Sequence, residues 1–308
     1  MVLVCASPSN DAIAPQPEDG ESSGPVVGLV THPDPRPFPM EPDTRHISYL
    51  SRRLVDGILK SGARVIPLLY GEHPATFFIK LGLVNGIVLG GKTPFNDSTY
   101  NSKVKLIYKE FFARNVVDFL PLLSIGSVCA DVRFHLEEGA AQKFLYPVNF
   151  ITEEGLVGVT FTPADLQGTL FQHFTQDLKT KLEGRELFVS HHTKLSLHYV
   201  NSIPSFDAQY KVTSVSLDQG KLPYVSSFVG RSIPFTGVQW HPQVSASDAA
   251  IESSDHIFKA FVHQCSAARE FTHPEVLKPY VLSKSGGIQF SKGVVVLEDA
   301  DNYKFLAH

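Results

Sequence analysis

Short apolar runs alternate with segments of helical spacing through the first half of the chain. Pro25 to Val30 is the first run and predicts a buried strand. Ile47, Leu50, Leu54 and Ile58 then recur at helical spacing, and Ser61-Gly62 supplies a stop. Arg64 to Leu69 predicts a second strand, Pro74 to Leu83 a short helix, and Gly86 to Leu89 a third strand. Val104, Ile107, Tyr108, Phe111 and Phe112 mark a further helix, and the apolar stretch Val116 to Ile125 reads as a fourth strand. Alternation of this kind implies a mostly parallel sheet with helices on both faces. Ligands bind such sheets at the carboxyl ends of the strands.

The second half has a different pattern. Phe144 to Thr162, Glu186 to Val189, Tyr210 to Leu217 and Tyr224 to Val229 are strand-like, with turns at Gly155, Gly184 and Asp218-Gln219-Gly220. They predict antiparallel additions to the sheet. Asp255 to Arg269 reads as a helix with Ile257, Phe258, Phe261, Val262 and Cys265 on one face. Three units follow: a flexible leader over residues 1–24, one domain over 25–270, and a tail over 271–308 in which Ile288 to Leu297 suggests a hairpin. The leader is rich in Ser, Pro, Asp, Glu and Gly and offers no core residues. Five prolines between Thr31 and Asp43 forbid a helix there.

One turn carries the chemical question. The apolar run ending at Ile125 enters Gly126-Ser127-Val128-Cys129-Ala130, and a helix is predicted from Cys129 to about Glu138. Strand, tight turn of small residues, then helix is the layout of a nucleophile elbow, which holds its central side chain beside helix-start N–H groups. The central residue here is Val128. A second stretch, Gly237-Val238-Gln239-Trp240-His241-Pro242-Gln243, reads as a strand running into a proline turn.

Together with Pro25-Val26-Val27-Gly28-Leu29, Gly62-Ala63-Arg64-Val65-Ile66-Pro67 and Asn85-Gly86-Ile87-Val88-Leu89-Gly90-Gly91, these stretches resemble the γ-glutamyl hydrolases. That family lies within the class I glutamine amidotransferase-like hydrolases. The resemblance spans about residues 25 to 270, with the motifs in family order. It implies a flavodoxin-like, mostly parallel α/β sheet flanked by helices, with antiparallel additions. It also implies a reaction in which an elbow Cys attacks the γ-glutamyl carbonyl, a His moves the proton, and an acid two residues after it supports the His. Two backbone N–H groups stabilise the oxyanion.

Carried over by position, the nucleophile is Val128, the base His241 and the acid Gln243. The oxyanion donors are Cys129 N–H and the Gly90-Gly91 turn. Valine has neither lone pair nor proton to give. Glutamine orients a histidine but does not hold imidazolium as a carboxylate does. Without a nucleophile, binding and the oxyanion hole retain about 10³-fold over water in the well-studied serine triad.

Cys129 is the alternative nucleophile, but one residue into a helix start turns its sulfur by about 100°, away from the pocket. As a plain helix residue it packs like a small hydrophobe. His192, in the pair His191-His192, corresponds loosely to a family histidine near the substrate; a solvated turn is the ordinary reading. Lys92, Phe95 and Tyr100 are candidates to line the pocket, against ordinary roles in solvent or at the helix start. Three readings stand open: a homologue without chemistry that binds a γ-glutamyl or folylpolyglutamate ligand or a protein partner; a working hydrolase using Cys129 and His241; and a structural protein with a vestigial pocket.

Composition narrows the field further. With 308 residues, 43% apolar and 19% charged, the chain has enough material for a sizeable core. Net charge is −4 and no basic cluster suggests nucleic acid. No apolar run reaches the length of a membrane span. The three cysteines, Cys5, Cys129 and Cys265, form neither a disulfide framework nor a zinc site, and the histidines lack nearby ligands at metal spacing. No cofactor or metal is expected. The apolar opening Met1 to Ser7 is too short for a full signal core and lacks a basic start, which leaves a disordered start or the remnant of a trimmed signal as its readings. The resemblance nonetheless implies secretion or a lysosomal or vacuolar address, which the sequon Asn96-Asp97-Ser98 fits. Relatives of this kind are often homodimers.

Overall fold

The apolar runs form strands covered on both sides. The computed structural model describes residues 24–33, 47–90, 98–126, 145–147, 154–162, 166–190, 195–197, 204–217, 221, 223–244, 247–268, 274–277, 280–282, 294–298 and 302–307. In chain order the elements begin β1 Val26–Val30, β2 His32–Pro33, β3 Ile47–Ser51, α1 Arg52–Lys60, β4 Arg64–Leu68, α2 Pro74–Gly82, β5 Gly86–Gly90, α3 Ser98–Arg114 and β6 Leu122–Ile125. Next come β7 Leu145–Pro147, β8 Glu154–Val157, β9 Thr160–Phe161, α4 Gln176–Leu182, β10 Leu187–Ser190, β11 Leu195–Leu197, α5 Pro204–Gln209, β12 Tyr210–Leu217 and β13 Pro223–Gly230. β14 Phe235–Val238, α6 Asp248–Ser266, α7 Pro274–Leu277, β15 Val294–Glu298 and β16 Asn302–Ala307 complete the order.

The main sheet runs β4-β1-β5-β6-β14-β13-β12-β9. The strands from β4 to β14 are parallel, and β13, β12 and β9 add antiparallel. This is the α/β architecture expected from the alternation. Successive residues of β1 point to opposite faces. Val27 and Leu29 join one buried cluster with Leu54 and Ile58 of α1 and Ile257, Phe258 and Phe261 of α6. Val26 and Val30 join the other with Phe77 of α2 and Val104, Ile107 and Phe111 of α3. A strand buried on both faces reads as an unbroken apolar run, which is why it carries no alternation in the sequence.

Four details depart from the sequence reading. Ile47 to Ser51 is a strand, and the helix starts only at Arg52. Its apolar spacing suits a helix, but β16 and β2 flank it and supply the backbone partners that decide its state. The stretch Val116 to Ile125 is strand only from Leu122. Val116 and Val117 are 82% and 85% exposed in the turn leaving α3. Asn115 organises that turn, donating to the Phe111 and Leu120 carbonyls at 2.7 and 3.0 Å. The stretch Phe144 to Thr162 is divided into three short strands, which pair in three different sheets. Beyond residue 270, the hairpin is β15 with β16, later than Ile288 to Leu297, and β16 pairs with β3. Among the described residues no helix is long and apolar enough to cross a membrane.

Candidate functional site

The register of the parallel strands gathers the motifs. Gly90, the last residue of β5, lies opposite Ile125 of β6, and Ile125 lies opposite Val238 of β14. Neighbouring strands are about 4.8 Å apart. The glycine turn, the entry to the elbow and the turn carrying His241 therefore leave the sheet side by side, at its carboxyl edge. Motifs roughly 35 and 110 residues apart in sequence become neighbours through the sheet order alone.

Each exit needs a small residue for a local reason. Gly126 has φ 68°, in the left-handed region where a Cβ meets the following carbonyl. A Cβ on Gly90 would come within 3.0 Å of Leu54 Cδ2, and one on Gly237 within 2.6 Å of the Phe228 ring. The glycine in the β14 motif thus lets the strand lie against an aromatic side chain.

The segment after β14 is held from three sides. Gln239 N–H donates to the Ser226 carbonyl at 2.8 Å, extending the pairing with β13, and its side-chain amide donates to the Val225 carbonyl. Trp240 is fully buried, with its ring 6.1 Å from that of Phe171. His241 N–H donates to the Phe188 carbonyl of β10 at 2.8 Å. The His241 ring is 4% exposed and its Nδ1 lies 3.3 Å from Gln243 Nε2. The pair at positions 241 and 243 is therefore in contact. Gln243 also lines a cavity of about 230 Å³ between α1 and α6.

Of the residues expected at the site, Gly90, His241 and Gln243 stand at this edge. Gly91, Val128, Cys129 and His192 lie outside the described residues, as do Lys92, Phe95 and the helix expected from Cys129 to about Glu138. Tyr100 does not line a cleft: it is fully buried, packed against His32 and Tyr70. The remaining described cysteine, Cys265, is buried and free, and burial pushes its thiol well above the ordinary value. It is thus an inert core residue.

His32 was not singled out by the sequence. It follows β1 at the same edge, 1% exposed, with its ring 5.2 Å from that of Tyr100 and 6.0 Å from that of Tyr49. Burial lowers its pKa to about 4, against a smaller opposing effect of the Gly90 backbone. The ring is neutral at ordinary pH. Its only sequence signal was a histidine directly after the first strand, among too many other histidines to stand out. A second unanticipated group is Glu72 with Lys80 and Lys103. Lys80 Nζ lies 2.6 Å from Glu72 Oε2, and Lys103 Nζ donates to the Glu72 carbonyl at 2.8 Å and sits 4.4 Å from the Phe77 ring centre. All three side chains are buried within the α2–α3 side of the fold and tie the loop after β4 to both helices.

No protein-family model matches the chain. Among curated proteins it is 26% identical to "Gamma-glutamyl hydrolase 1" of Arabidopsis thaliana over 289 residues, 88% of this chain and 79% of that relative. It is 25% identical to "Gamma-glutamyl hydrolase 2" of the same plant, over 88% of this chain and 80% of the relative. Among solved structures, the glutaminase domain of Trypanosoma brucei CTPS with bound acivicin superposes with a TM-score of 0.50 at 10% identity, covering 78% of this chain and 93% of that one. That likeness is one of fold, and the fold is of the class I glutamine amidotransferase type.

Proposed function

Starting from its homology to γ-glutamyl hydrolases, we propose that this chain keeps the family's binding site but has lost its chemistry. The observation that carries the reading is valine at position 128, where the family has its cysteine nucleophile, with Gln243 in place of the acid. Substrate contacts and chemical steps are separable, so a pocket without a nucleophile need not lose affinity. Valine is close to cysteine in size and carries no charge that burial would leave unpaired. The shaped elements around it support the reading: Gly126 at positive φ, Gly90 at the end of β5, and a buried, tethered His241.

The ligand under this reading is a γ-linked glutamyl chain such as a folylpolyglutamate. Under the same reading, backbone N–H groups following Gly90 and Val128 would be the donors for its carbonyl or carboxylate groups, as the family's oxyanion donors are. Lys92 and the His191-His192 pair add positive character as pH falls through the ordinary histidine range near ~6.5.

Calorimetric titration with a γ-linked glutamyl oligomer tests binding. We expect weak binding that strengthens from about pH 7.5 to 5.5, spanning the ordinary histidine pKa. Absence of both heat and a melting shift at millimolar ligand would reject it. Product analysis with a folylpolyglutamate tests the loss of chemistry. We expect no cleavage; turnover that disappears in Cys129→Ala would overturn the reading in favour of a working hydrolase.

A further inference from the structure

Gln243 presents a hydrogen-bonding conflict at the centre of the retained site. As oriented, its Nε2 lies 3.3 Å from His241 Nδ1, while its Oε1 is buried without a hydrogen-bond partner among the described residues. An acceptor buried without a donor is destabilising. A half-turn of the amide exchanges oxygen and nitrogen without moving any other atom. The oxygen then stands 3.3 Å from Nδ1 as an acceptor, and the two Nε2 protons take the place of the orphaned oxygen. Gln243 lines the cavity of about 230 Å³ together with Asp56 of α1 and Asp255 of α6. Carboxylates are acceptors for an amide N–H and not for an amide oxygen, and the orphaned position is too deeply buried for water to serve it. The same lining carries donors, Arg53, Lys60 and Ser254, but none of them bonds the oxygen as it stands. The two orientations differ in one observable: which nitrogen of His241 bears the proton.

We propose that Gln243 is a positioning residue whose side-chain oxygen accepts from His241 Nδ1–H, holding the ring in the tautomer that leaves Nε2 as its basic nitrogen. A neutral amide thereby performs the orienting half of the acid's task. It fixes the tautomer, and only the charge that would stabilise imidazolium is missing. The inference rests on the reading of His241 as a retained site histidine, but not on ligand binding or turnover. It also separates two losses that the sequence presents as one. Replacing the acid by glutamine preserves the geometry of the base, whereas replacing the nucleophile by valine removes the reaction.

The test is nitrogen NMR of the full chain with labelled histidine at a pH where the ring is neutral, with no ligand added. The His241 signals are assigned by their loss in His241→Asn. We expect Nδ1 to read as the protonated, pyrrole-like nitrogen and Nε2 as the pyridine-like one. Gln243→Glu should keep this pattern, and Gln243→Met, which has no acceptor, should lose it. A wild-type ring protonated at Nε2 would overturn the proposal, as would an Nδ1–H pattern that persists in Gln243→Met. The wild-type measurement decides the first point even if the methionine variant fails to fold. A chain that binds no γ-glutamyl oligomer would sink the binding reading and leave this readout unchanged.

Discussion

Replacing His32 by phenylalanine should make the protein less sensitive to acid. His32 is 1% exposed, and burial takes its pKa from 6.5 to about 4. Between those values the unfolded chain binds a proton at this residue and the folded chain does not. Stability therefore rises with pH across that window and is lost as pH falls from about 6.5 towards 4. At ~1.4 kcal/mol per pH unit the full loss approaches ~3 kcal/mol, and at pH 5 it is about 2 kcal/mol. Phenylalanine fills a similar space between the Tyr49 and Tyr100 rings and does not titrate. Any change in packing in His32→Phe shifts stability by a pH-independent amount, whereas the difference between variant and wild type should grow by about 2 kcal/mol from pH 7.5 to 5. Urea unfolding of both proteins at these pH values, in one buffer series, measures it. Parallel stability profiles would refute the reasoning, because they would mean that His32 titrates alike in the folded and unfolded chains.

Glu72→Gln should destabilise by about 3–5 kcal/mol, since it leaves the buried Lys80 ammonium without its carboxylate at 2.6 Å; denaturant unfolding near neutral pH should show this, and a loss under 1 kcal/mol would count against it. Gly126→Ala places a Cβ at φ 68° and should cost about 1–2 kcal/mol in the same assay, whereas unchanged stability would mean the turn relaxes freely. Val128→Cys with Gln243→Glu should yield a thiol that alkylates faster than Cys129 does in the parent, because a nearby His and a helix start lower a thiol pKa. Equal rates would show that the site no longer supports a nucleophile.

The sequence by itself determined the parallel half of the sheet. Doubly buried strands such as Val26–Val30 and Gly86–Gly90 must be continuously apolar, and α3 shows its buried face at helical spacing. It also singled out Gly126, Gly90 and His241, in short stretches whose composition reflects local geometry, and the strand register brings those stretches to one edge of the sheet. Val128 and Gln243 were visible as departures for the same reason. Other features came from partners distant in the chain. Ile47–Ser51 has helical spacing yet forms a strand, since Asn302–Ala307 lies beside it and satisfies its backbone. Val116 and Val117 look like strand residues and are exposed, because Asn115 ties the turn back onto α3 before Leu122. His32 looks like an ordinary loop histidine and is buried, because α3 brings Tyr100 over it. Periodicity reports which face of an element is covered; which neighbour covers it, and so what a histidine's pKa or a glutamine's contact becomes, is decided only when the sheet order brings the elements together.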